Sequence, residues 1–301
     1  MFNLPIDFGF NRVTGQPFRL CNLLGTSTKV VKGKKLRVDT KVLYLLPAKT
    51  TRALVQTETG RKILDVVAKE TNVDPEYLFQ KAIEWNACTH ADTCKDNCLA
   101  KTSGHLAMDD NQMFMLAKTL LFLADKPGFL DQLRAEVIKH ERQVARRSER
   151  EGVEWKQAIR LNGGTDIRWP KEFFLNLPYT QFYDYTKVED RMYEDWPSNY
   201  HLTFSWGSAN DKAVSRVLAA GHNVAVCVKH ERGQKDHHLR WQNGDTTDAR
   251  FLDLKGGWLI TLTPKGPVAK KDTTGFVKQS MGEVKCRLEA QKVIEENSVD
   301  E

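Results

Sequence analysis

The chain has 301 residues, with 45 Lys and Arg against 39 Asp and Glu, a formal charge of +6, 41% hydrophobic and 28% charged residues. No apolar run approaches the roughly 18–20 residues a membrane helix needs, and six cysteines, three of them clustered and three scattered, do not form the dense framework of a disulfide-stapled secreted protein. The mild basic surplus suits a nucleic-acid or nucleotide-phosphate partner without requiring one.

The first ten residues lack the basic start and unbroken apolar core of a signal peptide, so the expected location is the cytoplasm. Residues 1–40 read as an irregular segment punctuated by glycine, with a basic stretch from Lys29 to Lys35. Residues 41–278 read as one α/β unit, and 279–301 as a charged helix or tail. The run Lys41-Val-Leu-Tyr-Leu-Leu46, closed by Pro47, is the pattern of a buried strand with both faces covered. Residues 51–87 then show helical periods, the second opening on Asp74 as N-cap with Pro75 at the first helical position. This stretch reads as a helical insertion on the surface, and nothing in it suggests chemistry.

Cys88, Cys94 and Cys98 follow within eleven residues of polar loop. Three thiolates on one short loop fit a metal ion or an iron–sulfur cluster better than a disulfide, which uses two sulfurs and leaves the third unexplained. A buried helix, Asn111 to Leu123, and a longer one from about Pro127 to Arg150 come next; the basic latter half of the second is a place where an acidic polymer could lie. From residue 156 short apolar strands alternate with polar or helical connections: 157–161, 181–185, 201–205, 223–228, 249–253 and 258–262, with a helix from Asp211 to Ala220 closed by Gly221. Such βα repetition predicts parallel strands in a partial (βα) barrel.

Barrel chemistry sits at the carboxyl ends of the strands, and here those ends are polar. They supply Asn162-Gly163-Gly164-Thr165-Asp166, then Asp184 and Lys187, Ser205 and Ser208, Lys229 and His230, with Asp245, Asp248 and Arg250 ahead of a later strand. Lys187, Lys229, His230, Asp245, Asp248 and Arg250 are the candidate substrate-facing residues. The adjacent His237 and His238 read as a solvated loop pair, and the tryptophans as packing.

The order strand, cysteine loop, helix, strand, Gly-Gly turn resembles the radical S-adenosylmethionine enzymes. That resemblance implies a [4Fe-4S] cluster on Cys88, Cys94 and Cys98, with one iron open to the amino and carboxylate groups of S-adenosylmethionine. It further implies that Gly163, Gly164, Thr165 and Asp166, with Asn162 ahead of them, form the amino-group turn, and that Ser205 and Ser208 meet ribose or carboxylate. The cysteines are separated by five and three residues where the family's usual separations are three and two, and Asn97 stands where an aromatic often precedes the third.

At finer grain, Lys29-Val-Val-Lys-Gly33, the strand ending Leu-Leu-Pro-Ala48, Cys98-Leu-Ala100 with Ser103-Gly104, Arg160-Leu-Asn-Gly-Gly-Thr-Asp-Ile167, Phe182-Tyr-Asp-Tyr-Thr-Lys187 and Leu202-Thr-Phe-Ser205 resemble a bacteriophage protein family of the gene-product-eighty-eight type. This resemblance implies a phage origin and no established activity. Two other functions stay open. One is a nucleic-acid-binding or host-interaction protein with structural zinc, the fourth ligand coming from His90, His105, Cys21, Cys227 or Cys286. The other is a metal-independent hydrolase or lyase using Asp166, Asp184, Asp245 and Asp248.

Overall fold

The computed structural model describes residues 22–91, 94, 98, 106, 108–229 and 239–297. Its centre is an eight-stranded sheet: β1 (Leu24–Gly25), β2 (Val38–Leu43), β3 (Lys156–Arg160), β4 (Gln181–Thr186), β5 (Tyr200–Ser205), β6 (Val224–Cys227), β7 (Trp241–Asn243) and β8 (Leu259–Leu262). The order is β1-β2-β3-β4-β5-β6-β8-β7, and every pairing is parallel except β1 with β2. From β2 to β6 the spatial order follows the chain, so crossovers that share the usual hand advance in one direction and place their helices on one face. The sheet is open: β1 and β7 are its edges and do not pair with each other. A side chain from the β1 side nevertheless reaches the far edge, where Lys32 Nζ donates to the Asp245 carbonyl at 2.9 Å.

One face carries the main core. Ile159, Phe182, Phe204 and Val224 pack there with Leu116 and Leu120 of the Asp109–Ala124 helix, Leu133 and Val137 of Lys126–Glu151, and Val214 and Val217 of Asp211–Ala219. The helices Ala48–Val55, Glu58–Thr71 and Pro75–Glu84 occupy the stretch expected to be a surface insertion. They are not peripheral, because Val55, Leu64, Val67 and Leu78 are fully buried in that same core. Local sequence fixes their ends: Thr57 Oγ1 accepts from Gly60 N at 3.0 Å, Asp74 Oδ1 from Tyr77 N at 2.8 Å, and Asn72 turns left-handed to close the middle helix.

Side chains in register share a face, so the other face carries Val42 beside Arg160, Tyr183 beside His201, Tyr185 beside Thr203, and Ser205 beside Ala225. It is covered by the segment expected to be a strand at 249–253. That expectation fails: Arg250–Leu252 is a 3-10 turn, and the strand of this region is Trp241–Asn243. Ala249 and Phe251 pack onto Val38, Ala158 and Tyr183 in a small second core, while Arg250 donates to the carbonyls of Gly244 and Thr247. The alternation that resembles a strand is that of a plug with an apolar side on the sheet and a cation tying down its own loop. The Met281–Asn297 helix packs against Asp211–Ala219, anchored by buried Met281 and Val284 and by Arg287 on Asp211 at 2.8 Å.

Candidate functional site at the carboxyl ends of β3, β4 and β5

The cysteine loop runs between β2 and β3 and meets the ends of three strands around a cavity of about 130 Å³. Cys88, His90, Ala91 and Cys94 form one wall; Thr165, Asp166, Tyr185, Thr186, Lys187 and Ser205 form the other. The walls are joined by backbone, since Asp166 N–H donates to the Ala87 carbonyl at 2.8 Å. On the other side of the turn Gly163 N–H donates to the Leu43 carbonyl at 3.0 Å, bringing the turn so close to β2 that a Cβ at 163 would lie 2.5 Å from the Tyr44 ring. Glycine is required there for that approach.

Asn162 organises the turn from below rather than facing the cavity. It is 2% exposed, and its Oδ1 accepts from Thr165 Oγ1 and Ile167 N–H, both at 2.9 Å. Its own N–H donates to Asp184 Oδ1 at 2.6 Å and its Nδ2 to Asp184 Oδ2 at 3.2 Å. Asp184, on the core face of β4, also accepts from Tyr200 Oη at 3.1 Å. Burial pushes the Asp184 carboxyl up to about 7, against the pull of these donors and of Arg160 and Arg191.

Arg191 ties this buried group to the cavity wall. The side chain is 2% exposed; Nη2 donates to Tyr200 Oη at 3.0 Å and Nη1 to Asp166 Oδ1 at 2.5 Å. Asp166 Oδ2 accepts from Lys187 N–H at 2.8 Å and Thr186 Oγ1 at 3.1 Å. The carboxylate thus bridges the Gly-Gly turn to the end of β4. Cys88 stands beside it: burial pushes its thiol up to about 12, with the negative charges of Asp166, Cys98 and Cys94 adding to the effect. The three cysteines are therefore electrostatic neighbours. Among the described residues, however, no group of three or more His, Cys, Asp or Glu side chains is arranged to hold a metal ion.

The other residues singled out from sequence fall into separate places. Asp248 and Arg250 lie on the plugged face of the sheet, 1% and 0% exposed. Asp248 Oδ2 accepts from Arg160 Nη1 at 3.2 Å and from Tyr183 Oη at 3.1 Å, and Arg250 pairs with Asp253 at 3.3 Å. Burial opposes the Arg160 cation, yet the Asp248 charge holds it above its ordinary range; burial and the same carboxylate push the Tyr183 phenol well up. This network adjoins the cavity through Tyr185, whose ring lies 4.7 Å under the Arg160 guanidinium. Asp245 closes β7 against β8, accepting from Thr263 N–H at 2.8 Å and pairing with Lys265 at 3.1 Å. Lys229 donates to Gln279 at 2.6 Å, and the Ser208 carbonyl meets Arg287, both away from the cavity lining. Gly164 lies in the turn between Gly163 and Thr165. His230, the 237–238 histidine pair, Cys21 and His105 lie outside the described residues.

Sequence reading passed over Arg191, Tyr200 and Arg160. Arg191 falls in a charged loop with no periodicity, and only the pairing of β3 with β4 and β4 with β5 brings it to Asp166. Asp184 was legible as a carboxylate but not as the buried partner of Asn162; its place two residues after core-facing Phe182 carried the only signal, and in the sheet it pairs with Leu202.

No helix among the described residues is long and apolar enough to cross a membrane. No curated protein and no solved structure matches the chain. The family model described as gene product 88 matches residues 47–280, a span from the end of β2 through the cysteine loop and every later strand to the start of the last helix, and the chain belongs to that phage-type family.

Proposed function

We propose that the chain is an iron–sulfur enzyme of the radical S-adenosylmethionine type, acting on a nucleotide or nucleic-acid-related substrate, with the sheet as a partial (βα) barrel. The observation that carries this reading is the convergence of Cys88, Cys94 and the Gly163–Asp166 turn on one cavity, with the turn's Asp166 N–H bonded to the residue before Cys88 at 2.8 Å. The one-way strand order, the helices' common face and the Lys32 contact to the far edge support the barrel reading, because a flat sheet of eight strands would hold its edges far apart.

By residue type and number the donor set suits the group, although the described side chains are not arranged to hold a metal. Three thiols supply three ligands and leave one iron of a four-iron cluster open, and the positive charge of the metal core would offset the burial, and the neighbouring negative charges, that push the Cys88 thiol up. Cys88, Cys94 and Cys98 would hold the cluster, which supplies the electron that cleaves a sulfonium cofactor. The chain's own part is positional: Asp166 locks the turn to the β4 end, Lys187 and Ser205 present polar side chains to the cavity, and Tyr185 separates it from the buried Arg160–Asp248 pair.

Metal and sulfide analysis of protein purified and reconstituted without oxygen tests this. Iron and acid-labile sulfide in equal amounts, about four of each per chain, and lost in a Cys88/Cys94/Cys98→Ala variant, support it; a colourless protein after reconstitution overturns it. A second reading, a zinc-containing nucleic-acid-binding or host-interaction protein, draws on His90, which lies on the same cavity wall and would complete a tetrahedral set with the three thiols. Stoichiometric zinc, together with DNA affinity that falls steeply with salt, would favour it.

A further inference from the structure

We propose that a second cavity, set against the amino ends of β5, β6 and β8 and remote from the cysteines, binds a small phosphate- or carboxylate-bearing anion. The cavity measures about 350 Å³, within the range of small-ligand pockets. Its walls include Arg191, Trp196, Tyr200, His201, His222 and Lys255.

The site is built rather than left over. Asn223 clamps the loop that bears Lys255, donating from Nδ2 to the Leu254 carbonyl at 2.6 Å and accepting Trp258 N–H at 2.9 Å. Gly257 N–H is held by the Gly221 carbonyl at 3.0 Å, and His222 N–H by the Val217 carbonyl at 3.0 Å. Lys255 and His222 are thereby carried on adjoining loops, and His201, the second residue of β5, lines the same cavity. Tyr200, 6% exposed, and Trp196, edge-on to it at 5.0 Å, give the cavity a rigid apolar wall.

The polar chemistry points to an anion. Arg191 is 2% exposed, and its Nε finds no acceptor among the described residues while Nη1 and Nη2 are held by Asp166 and Tyr200. Lys255 is exposed, and its backbone carbonyl accepts from Trp258 Nε1 at 3.2 Å. Burial lowers the pKa of both imidazoles, that of His201 to about 4 with Lys255 and Arg250 adding to the effect. Two acids, Glu194 and Asp195, also line the cavity. Glu194 is bound to Arg168 at 2.6 Å, and Lys171 Nζ sits on the Asp195 carbonyl at 2.6 Å. In this proposal the anion lies beside Lys255 and His222, with Trp196 as its apolar wall.

The test is a titration with inorganic phosphate and, separately, acetate, followed by the histidine ring signals in ¹H–¹⁵N spectra of the full chain. His201→Gln and His222→Gln variants assign those signals. Phosphate or acetate is expected to shift both rings along a saturating curve, and whichever ion does so identifies the anion class. Lys255→Met, a change at an exposed position that leaves the fold intact, is expected to weaken binding about tenfold through loss of a charge-assisted contact. Absence of saturable shifts with either ion in the millimolar range overturns the proposal, as does an unchanged affinity in Lys255→Met. Neither result depends on whether the cysteines hold iron.

Discussion

Asp184 offers the sharpest test of how the turn is held. Its carboxyl is fully buried and pushed from 3.8 up to about 7, burial outweighing the hydrogen bonds from Asn162 and Tyr200. In the unfolded chain the group ionises near 3.8; in the folded chain it keeps its proton to near neutrality. Between those values the folded state binds the extra proton, so stability falls as pH rises through that window and is level on either side of it. A displacement of about three units corresponds to about 4 kcal/mol over the whole window. Asp184→Asn removes the titration while preserving shape, and its Oδ1 can still accept from Asn162 N–H. Urea denaturation of both proteins at a series of pH values between 4 and 8 measures the effect. The wild type is expected to lose stability relative to the variant as pH rises, most steeply in the middle of that window, near pH 5–6, and to level off above pH 7. Groups whose pKa is lowered, such as Asp39 and Glu189, titrate identically in both proteins and cancel in the difference. Parallel stability curves would refute the assignment of a neutral, buried Asp184.

Asp166→Ala strands the Arg191 guanidinium beside Tyr200 and should cost about 3–5 kcal/mol in the same urea assay; a cost under about 1 kcal/mol would mean that the pair is not desolvated. Gly163→Ala places a methyl group 2.5 Å from the Tyr44 ring and 2.7 Å from the Leu43 carbonyl, so a loss of about 1–3 kcal/mol is expected, and a neutral result would show that the turn does not press on β2. In metal-free protein at pH 8, Cys88, with its thiol held near 12, should react with iodoacetamide at least about a hundredfold more slowly than exposed Cys286, as read by mass spectrometry of the labelled peptides. Asp248→Ala leaves Arg160 unpaired above Tyr185 and should cost about 3 kcal/mol, checked by the shift in the denaturation midpoint.

Much of the sheet was legible because its strands are buried on both sides and therefore read as short apolar runs. The stretches 157–161, 181–185, 201–205, 223–228 and 258–262 coincide with β3, β4, β5, β6 and β8 to within a residue or two. The first strand is shifted: β2 ends at Leu43, and Leu45 and Leu46 are buried beyond it because Leu46 N–H is taken by Thr119 Oγ1 at 2.9 Å. Burial, not pairing, makes those residues apolar, and composition cannot separate the two. The same ambiguity misled at 249–253, where alternating Ala249, Phe251 and polar neighbours imitate strand periodicity while packing as a plug, and at Trp241–Asn243, an edge strand too short to show a period.

The site divides along the same line. A loop rich in cysteine and a Gly-Gly turn announce themselves, because few residue types can do what they do at those positions. What sets their environment does not: Arg191 is 25 residues from Asp166 and Tyr200 is 16 from Asp184, and both relations are created by neighbouring parallel strands whose connections have unrelated lengths. Parallel pairing has a further consequence for the candidate substrate residues. Lys187 and Ser205 close adjacent strands, β4 and β5, and so share the cavity with Cys88. Asp245, Asp248 and Arg250 precede β8 rather than follow it, which sends them to the sheet edge and the plugged inner face. A residue's position relative to its strand's carboxyl end, more than its chemical type, decides whether it can act beside the cysteines. On that criterion Lys187, Ser205, Thr186 and Tyr185 are the side chains whose replacement should alter the proposed activity, whereas Asp248 and Arg250 should act on it only through the Arg160–Tyr185 contact.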